Sequence, residues 1–168
     1  MSAARTAPVI RDAAGPAEIA LVRELFEEYA RSLDFSLCFQ GFDRELTGLP
    51  GAYAPPRGRL LLAWQGAEAA GVVGLRPIAD DICEMKRLYV PPARRGQGIG
   101  EALVDRVIAE ARASGYRAMR LDTVPATMAK AIALYRARGF RPIPPYYEVP
   151  VAEMEFMELL LDPTSRQG

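Results

Sequence analysis

The sequence predicts an α/β (α+β) domain in which a mixed, mostly antiparallel central sheet carries helices on both faces. Three observations predict it. Short apolar runs alternate with segments whose apolar residues recur at spacings of three and four. Three of those runs follow one another with only tight turns between them, as in a meander. Two amphipathic helical segments then separate later strands, the pattern of helices crossing over a sheet. The 168 residues, half hydrophobic and a quarter charged, suit one domain over 1–168, with its core at about 8–161.

The elements follow in order. After a short strand from Pro8 to Asp12, PAEIALVRELFEEYARSL reads as an amphipathic helix. Its stripe is Ile19, Val22, Leu25, Phe26, Tyr29 and Leu33, and Pro16 suits a first helical position. DFSLCFQGFDRELTGLPGAYAPPRG is partly helical and rich in turn signals. RLLLAWQ, AAGVVGLRPI and ICEMKRLYV are three consecutive strands, the first two joined by a turn at Gln65 to Glu68. PPARRGQG leads into a helix with the stripe Ile99, Leu103, Val104, Val107, Ile108 and Ala111, stopped at Gly115. RAMRLDTV is a strand. Thr127 is placed to cap the helix MAKAIALYRAR, which ends at Gly139. Strands at Arg141 to Ile143 and Met154 to Leu161 flank the proline-rich IPPYYEVPV.

Composition excludes several chemistries. Twenty-one basic residues balance twenty-one acidic ones, which gives no support to non-specific nucleic-acid or anionic-membrane binding. No run has the length of a signal peptide or a bilayer span. Cys38 and Cys83 are read as reduced thiols, so the expected setting is cytoplasmic. There is no histidine, which excludes Ser-His-Asp and Cys-His mechanisms and His-based zinc sites, and no metal site is expected. A general base must then be a carboxylate, a lysine, a tyrosine or the chain terminus.

The stretch Arg94-Arg95-Gly96-Gln97-Gly98-Ile99-Gly100 resembles a phosphate cradle. A Walker A loop needs G-x-x-x-x-G-K-[ST], and no lysine followed by Ser or Thr occurs here. A dinucleotide fingerprint needs G-x-G-x-x-G, but its third glycine falls on Glu101 or Leu103, although Asp122 ends the next strand where a ribose-binding acid belongs. Arg95 to Gly100 does fit R-x-x-G-x-G between a strand and a helix. Glycines let backbone approach a pyrophosphate, and the first-turn N–H groups point at the anion along the positive end of the helix dipole. The other reading is a glycine-rich loop that merely turns a corner.

EMKRLYV, PPARRGQGIGEALV and LYRARGF, in that order and spacing, resemble the GNAT superfamily of acyl-coenzyme-A-dependent N-acetyltransferases. CFQGFDREL, LDTVPATMAKAIALYRARGF and PPYY look like bacterial small-molecule members of unassigned substrate. The resemblance spans nearly the whole chain. It implies that the central sheet splays at the cofactor site and that acetyl-coenzyme A is the cosubstrate. Backbone N–H groups of Arg95, Gly96, Gln97, Gly98, Ile99 and Gly100 would hold its pyrophosphate. Leu88, Tyr89 and Val90 would line the pantetheine arm, and the Leu88 amide would hold the oxyanion, a donor worth about 3–4 kcal/mol in other acyl transfers.

The resemblance further implies Glu84 as general base, directly or through water, and Tyr135 as the acid that protonates the departing thiolate. The residue-level alternatives are a surface glutamate paired with Lys86 or Arg87, and a core tyrosine with its hydroxyl at the rim. Strand alternation puts Glu84, Lys86 and Leu88 on one face if no bulge intervenes. Many members carry an asparagine that contacts the pantetheine or a water where this chain has Met128, a departure from the family's pattern at that one contact.

By the same resemblance, FSLCFQGF and PPYYEVP occupy the two regions that flank the acceptor. Within them Phe39, Gln40, Tyr146 and Tyr147 offer stacking or hydrogen bonds to a ligand, or else plug their loops into the core. Arg76, Lys86 and Arg87 hint at a carboxylate on the acceptor. The expected function is transfer of an acetyl group to a primary amine of a small molecule, by direct attack in a ternary complex. The alternatives are a non-catalytic acyl-coenzyme-A-binding sensor or interaction module, and a dinucleotide oxidoreductase. A homodimer is implied by resemblance alone.

Overall fold

The structure, a computed structural model, describes residues 7–33, 35–37, 40–125, 128–148 and 153–161. Its seven strands are β1 (Val9–Asp12), β2 (Arg59–Gln65), β3 (Glu68–Pro77), β4 (Ile82–Tyr89), β5 (Ala118–Thr123), β6 (Arg141–Ile143) and β7 (Glu155–Leu160). Its α-helices are α1 (Gly15–Ser32), α2 (Phe42–Gly48), α3 (Ile99–Ala113) and α4 (Ala129–Ala137). The strands form one sheet in the order β1-β2-β3-β4-β5-β7-β6. Every neighbouring pair is antiparallel except β4 and β5, which α3 connects. Tight turns reverse the chain between β2, β3 and β4, the α3 crossover makes β4 and β5 parallel, and the long connection through α1 and α2 brings β1 antiparallel to β2.

Both sheet faces are covered, which is why RLLLAWQ and AAGVVGLRPI read as near-continuous apolar runs rather than clean alternations. On one face α3 buries Ile99, Leu103, Val104, Val107, Ile108 and Ala111 against Leu61, Val73, Leu75 and Met85. Tyr135 of α4 and Phe140 join the same core. On the other face Val22, Leu25 and Phe26 of α1 pack with Leu60, Leu62, Val72 and Tyr89. Each fully buried Leu, Val or Phe contributes about 1.5–3 kcal/mol of burial, so α1 and α3 are held chiefly by these stripes.

Helix starts are less dependent on side chains than the sequence suggests. Thr127 lies outside the described residues, and α4 begins after Met128 with no side-chain capping bond. Among the described residues no helix is long and apolar enough to cross a membrane, and no group of His, Cys, Asp and Glu could hold a metal ion.

Candidate active site

The glycine loop sits between β4 and α3. Gly96 and Gly98 have φ of 79° and 78°, the left-handed region that favours glycine. A Cβ at either would meet nothing within 4 Å, so glycine is required for conformation and not for space. Gly98 ends the loop, and the first helical bond is Ala102 N to Gly98 O at 3.0 Å. The helix therefore supplies no acceptor to the amides of Ile99, Gly100 and Glu101, which face outward at its positive end.

Side chains lock this loop from behind. Gln97 accepts from Gln65 Nε2 at 2.6 Å, and Arg94 donates to Gln65 Oε1 at 2.8 Å while pairing with Glu68. Arg95 donates back to the Val90 carbonyl at 2.9 Å, with its guanidinium over the Tyr89 ring. Ile99 points inward, into the α3 core.

Beside the loop the sheet opens. β4 and β5 pair only over Ile82–Ala118, Cys83–Met119 and Glu84–Arg120, after which no ladder joins them. On its other edge β4 carries a bulge: Lys86 pairs with Gly74 and Tyr89 with Val72, so Arg87 and Leu88 together stand opposite Val73. Arg87 has φ of 62°, the one positive value outside glycine among the described residues. This corrects the alternation expected for Glu84, Lys86 and Leu88. The extra residue turns Leu88 into the α3 core, while Tyr89 joins the opposite one. Leu88 and Val90 thus flank the opening on the α3 side.

Under β4, on the α1 side, lies a compact polar floor of three acid–base pairs. Glu84, 1% exposed, accepts from Arg76 at 2.8 Å on Oε1 and from the Tyr146 hydroxyl at 2.6 Å on Oε2. It is neither at the surface nor paired with Lys86 or Arg87. Arg87, 5% exposed, donates to both Glu45 oxygens at 2.9 and 3.0 Å, and to Gln40 Oε1 at 2.8 Å. Lys86 pairs with Asp122 at 3.1 Å.

Burial alone would raise the carboxyls of Glu45 and Asp122. Arg87 outweighs it at Glu45, and Lys86 with the Tyr147 hydroxyl outweighs it at Asp122, so both stay below the ordinary carboxylate range. Burial also pulls Lys86 below the usual lysine value, against the attraction of Asp122.

These pairs revise two readings. Arg76, Lys86 and Arg87 each have a carboxylate partner inside the protein, so they offer no spare charge to a carboxylate on an acceptor. Asp122, considered as a ribose-binding acid, is the counter-ion of Lys86 instead.

The other predicted residues divide clearly. Gln40, Tyr146 and Tyr147 come together above the floor, and Phe39 lies outside the described residues. The two tyrosine rings pack edge-on against Phe156 at 5.0 Å, and an open depression lined by Pro145, Tyr146, Tyr147 and Glu148 lies in front of them. Tyr135 is buried against Phe140 rather than at a rim. Burial, reinforced by Tyr29 and Asp122 nearby, pushes its hydroxyl well above the ordinary phenol value. Met128 accepts a hydrogen bond from Thr123 through its sulfur at 3.3 Å.

Sequence reasoning missed Glu45 as the partner of Arg87 and the place of Tyr29 beside Tyr89. Tyr29, half-buried and edge-on to Tyr89, has its hydroxyl pushed up to about 12 by desolvation. The only sequence signal for it was its place on the inner stripe of α1.

A split sheet beside a glycine-rich helix start is the geometry that comparison with known proteins then places. The family model described as Acetyltransferase (GNAT) family matches residues 20–140. The chain belongs to the GNAT acetyltransferase family. An N-acetyltransferase of Schizosaccharomyces pombe, named as uncharacterized, is 36% identical over 146 residues, covering 86% of this chain and 89% of its own. Among solved structures, an acetyltransferase from Streptococcus agalactiae superposes with a TM-score of 0.74 at 20% identity, over 92% of this chain and 98% of that one. The putative acetyltransferase yncA of Salmonella typhimurium, solved with its cofactor acetyl-CoA, superposes at 0.68 and 23% identity, over 94% and 96%. This GNAT protein is accordingly an acyltransferase enzyme that draws its acetyl group from acetyl-coenzyme A.

Proposed function

We propose that this enzyme acetylates a primary amine of a small molecule by direct attack within a ternary complex. The observation that carries the reading is the opening between β4 and β5, bordered by the glycine-rich start of α3 and backed by buried Glu84. The amides of Gln97 to Gly100 would hold the pyrophosphate of acetyl-coenzyme A at the positive end of α3, while the Arg95 amide donates to the Pro92 carbonyl at 3.3 Å. Leu88, Tyr89 and Val90 would line its pantetheine arm. The Leu88 amide, offset from the β3 ladder by the bulge, is the donor for the oxyanion that forms as the amine adds to the thioester carbonyl.

An ammonium has no lone pair with which to attack, so a base must take its proton. Glu84 is that base in this reading, and its burial means that it works at one remove. The Tyr146 hydroxyl stands between Glu84 and the open depression where an acceptor would enter. Tyr135 is the acid in this reading, its hydroxyl hydrogen-bonding the departing thiolate. Cys83 does not suit a covalent route: its thiol is buried, and burial pushes it up to about 12, which leaves little nucleophilic thiolate. This supports direct transfer.

The acceptor class takes shape from the polar floor. Because all three cations are internally neutralised, nothing there favours an acidic acceptor. Homodimerisation and a cytoplasmic setting belong to the same reading, and sedimentation of the purified protein tests the first.

Thiol release from acetyl-coenzyme A, screened over chemically diverse amines, tests the function. Glu84→Gln should lower turnover about 10²–10⁴-fold on the best amine while acetyl-coenzyme A still binds. Full turnover in that variant removes Glu84 from the mechanism. Binding of acetyl-coenzyme A with no thiol release on any amine favours a non-catalytic binding module.

A further inference from the structure

Four side chains from four segments close a hydrogen-bonded ring at the mouth of the opening. Lys86 Nζ on β4 pairs with Asp122 Oδ2 on β5 at 3.1 Å. The same Asp122 oxygen accepts from the Tyr147 hydroxyl at 2.6 Å. Gln40 Nε2 donates to that hydroxyl at 3.1 Å, and Gln40 Oε1 accepts from Lys86 Nζ at 3.0 Å. Arg87, at the bulge, donates to the same Gln40 oxygen at 2.8 Å and so joins the ring to the strained backbone.

The position of the ring is informative. The last backbone pair of β4 and β5 is Glu84 with Arg120, and Lys86 and Asp122 are each two residues further on. In parallel register they are the next pair whose side chains point to that same face. Among the described residues no other side-chain hydrogen bond or ion pair joins β4 to β5 beyond Glu84. An ion pair therefore takes over where the backbone ladder stops. Lys86 is 4% exposed, so the pair lies largely outside water, where its attraction is strong and its separation is tightly set.

We propose that this ring is a spacer: it fixes the width of the opening that receives the pantetheine arm and ties that width to the two acceptor loops. The proposal rests on the donor reading above. Lys86, Asp122, Tyr147 and Gln40 are positioning residues in it, and none of them needs to touch the thioester. The loop segment holding Gln40 and the one holding Tyr147 can shift only by breaking a bond of the ring. Binding on the acceptor side is thereby coupled to the donor gap.

Calorimetry with two ligands tests this. One is acetyl-coenzyme A; the other is 3′-phospho-ADP, the nucleotide half of coenzyme A, which has the phosphates but no pantetheine arm. Lys86→Met and Asp122→Asn should each weaken acetyl-coenzyme A about tenfold, within the range of measured couplings, and leave 3′-phospho-ADP unchanged. Lys86→Arg, which keeps the ion pair, should restore most of the loss. Equal weakening of both ligands would mean that the ring only supports the fold, and no weakening of either would mean that it does not set the gap. Either result overturns the proposal. If the Lys86 and Asp122 variants do not fold, Tyr147→Phe breaks the ring from a half-buried position and must show the same selective loss, though smaller. A wild-type protein that binds neither ligand overturns the donor reading and takes the ring with it.

Discussion

Glu45 grips Arg87 with both carboxylate oxygens, at 2.9 and 3.0 Å, and Arg87 holds the one positive φ outside glycine among the described residues. A non-glycine residue in that region costs of order 1–3 kcal/mol and persists only when its surroundings over-determine it. Here they do. The guanidinium is fixed by Glu45 and Gln40 and lies over the Phe42 ring at 5.0 Å. The pair thus holds open the bulge that sets where the Leu88 amide points. Glu45→Gln should lower kcat about tenfold or more, since a displaced oxyanion donor costs up to 10²–10³. Adding Arg87→Gly, which accepts that φ without strain, should recover part of the turnover. The check is thiol release at saturating acetyl-coenzyme A, and a double variant slower than Glu45→Gln alone would show that the side chains, not the bulge, matter.

Tyr135 keeps its proton at any working pH because burial raises its hydroxyl well above the phenol range. It is therefore always available to hydrogen-bond the departing thiolate, but as a weaker acid than the thiol it shares its proton rather than handing it over. The need is modest, since a thiolate with an ordinary pKa near 8.5 is already a fair leaving group. Tyr135→Phe should reduce kcat about tenfold, less than removal of the base. The phenyl ring still packs on Phe140, so the melting temperature should hold. A large loss of stability instead would assign the hydroxyl a structural role.

The helices and most strands were legible because their apolar spacing is local: Val22, Leu25 and Phe26 declare the inner face of α1 wherever it packs. The glycine loop was legible for a similar reason, since alternate glycines before an amphipathic run describe a helix start. The polar floor was not. Arg76, Lys86 and Arg87 read as free cations because Glu45 and Asp122, their neutralising partners along with Glu84, lie 42 and 36 positions from the residues they bind. The bulge had no signal at all, because nothing in Lys86-Arg87-Leu88 marks a residue for positive φ. Packing hid another constraint at Gly74, where a Cβ would come within 2.6 Å of the Tyr53 ring. The sequence shows a glycine in a strand there and does not show what lies above it.

Gly98 and Gly100 separate two reasons for glycine in the same loop. At Gly98 the φ of 78° makes any side chain strained, although nothing lies within 4 Å. Gly98→Ala should cost about 1–2 kcal/mol of stability and weaken acetyl-coenzyme A binding. Gly100 is helical, and its Cβ would meet only Val90 Cγ2 at an ordinary 3.8 Å. Gly100→Ala should stabilise the fold by about 0.5–1 kcal/mol through helix propensity. It should still weaken binding, because its methyl group occupies the approach of the pyrophosphate. Melting temperature and calorimetric affinity measured on both variants check this; unchanged affinity in Gly100→Ala would move the phosphates elsewhere.

Acid should unfold the protein through Asp122 and Glu45. Both are held below their ordinary values in the fold, so each binds a proton more readily once unfolded. Their stabilising contribution is complete above the ordinary carboxylate range, about pH 4, and is lost as pH falls through their lower folded values. Melting temperature should therefore be flat through neutrality and fall steeply only below about pH 4. Asp122→Asn lowers stability at neutral pH because Lys86 is left buried without its counter-ion, but it also removes one of the titrating carboxyls. The acid slope of its stability should be shallower than that of the wild type. An equal slope in the two proteins would mean that the Lys86–Asp122 pair has no part in acid unfolding, and would leave it to the other carboxyls held low: Glu45, Glu18 and Asp81.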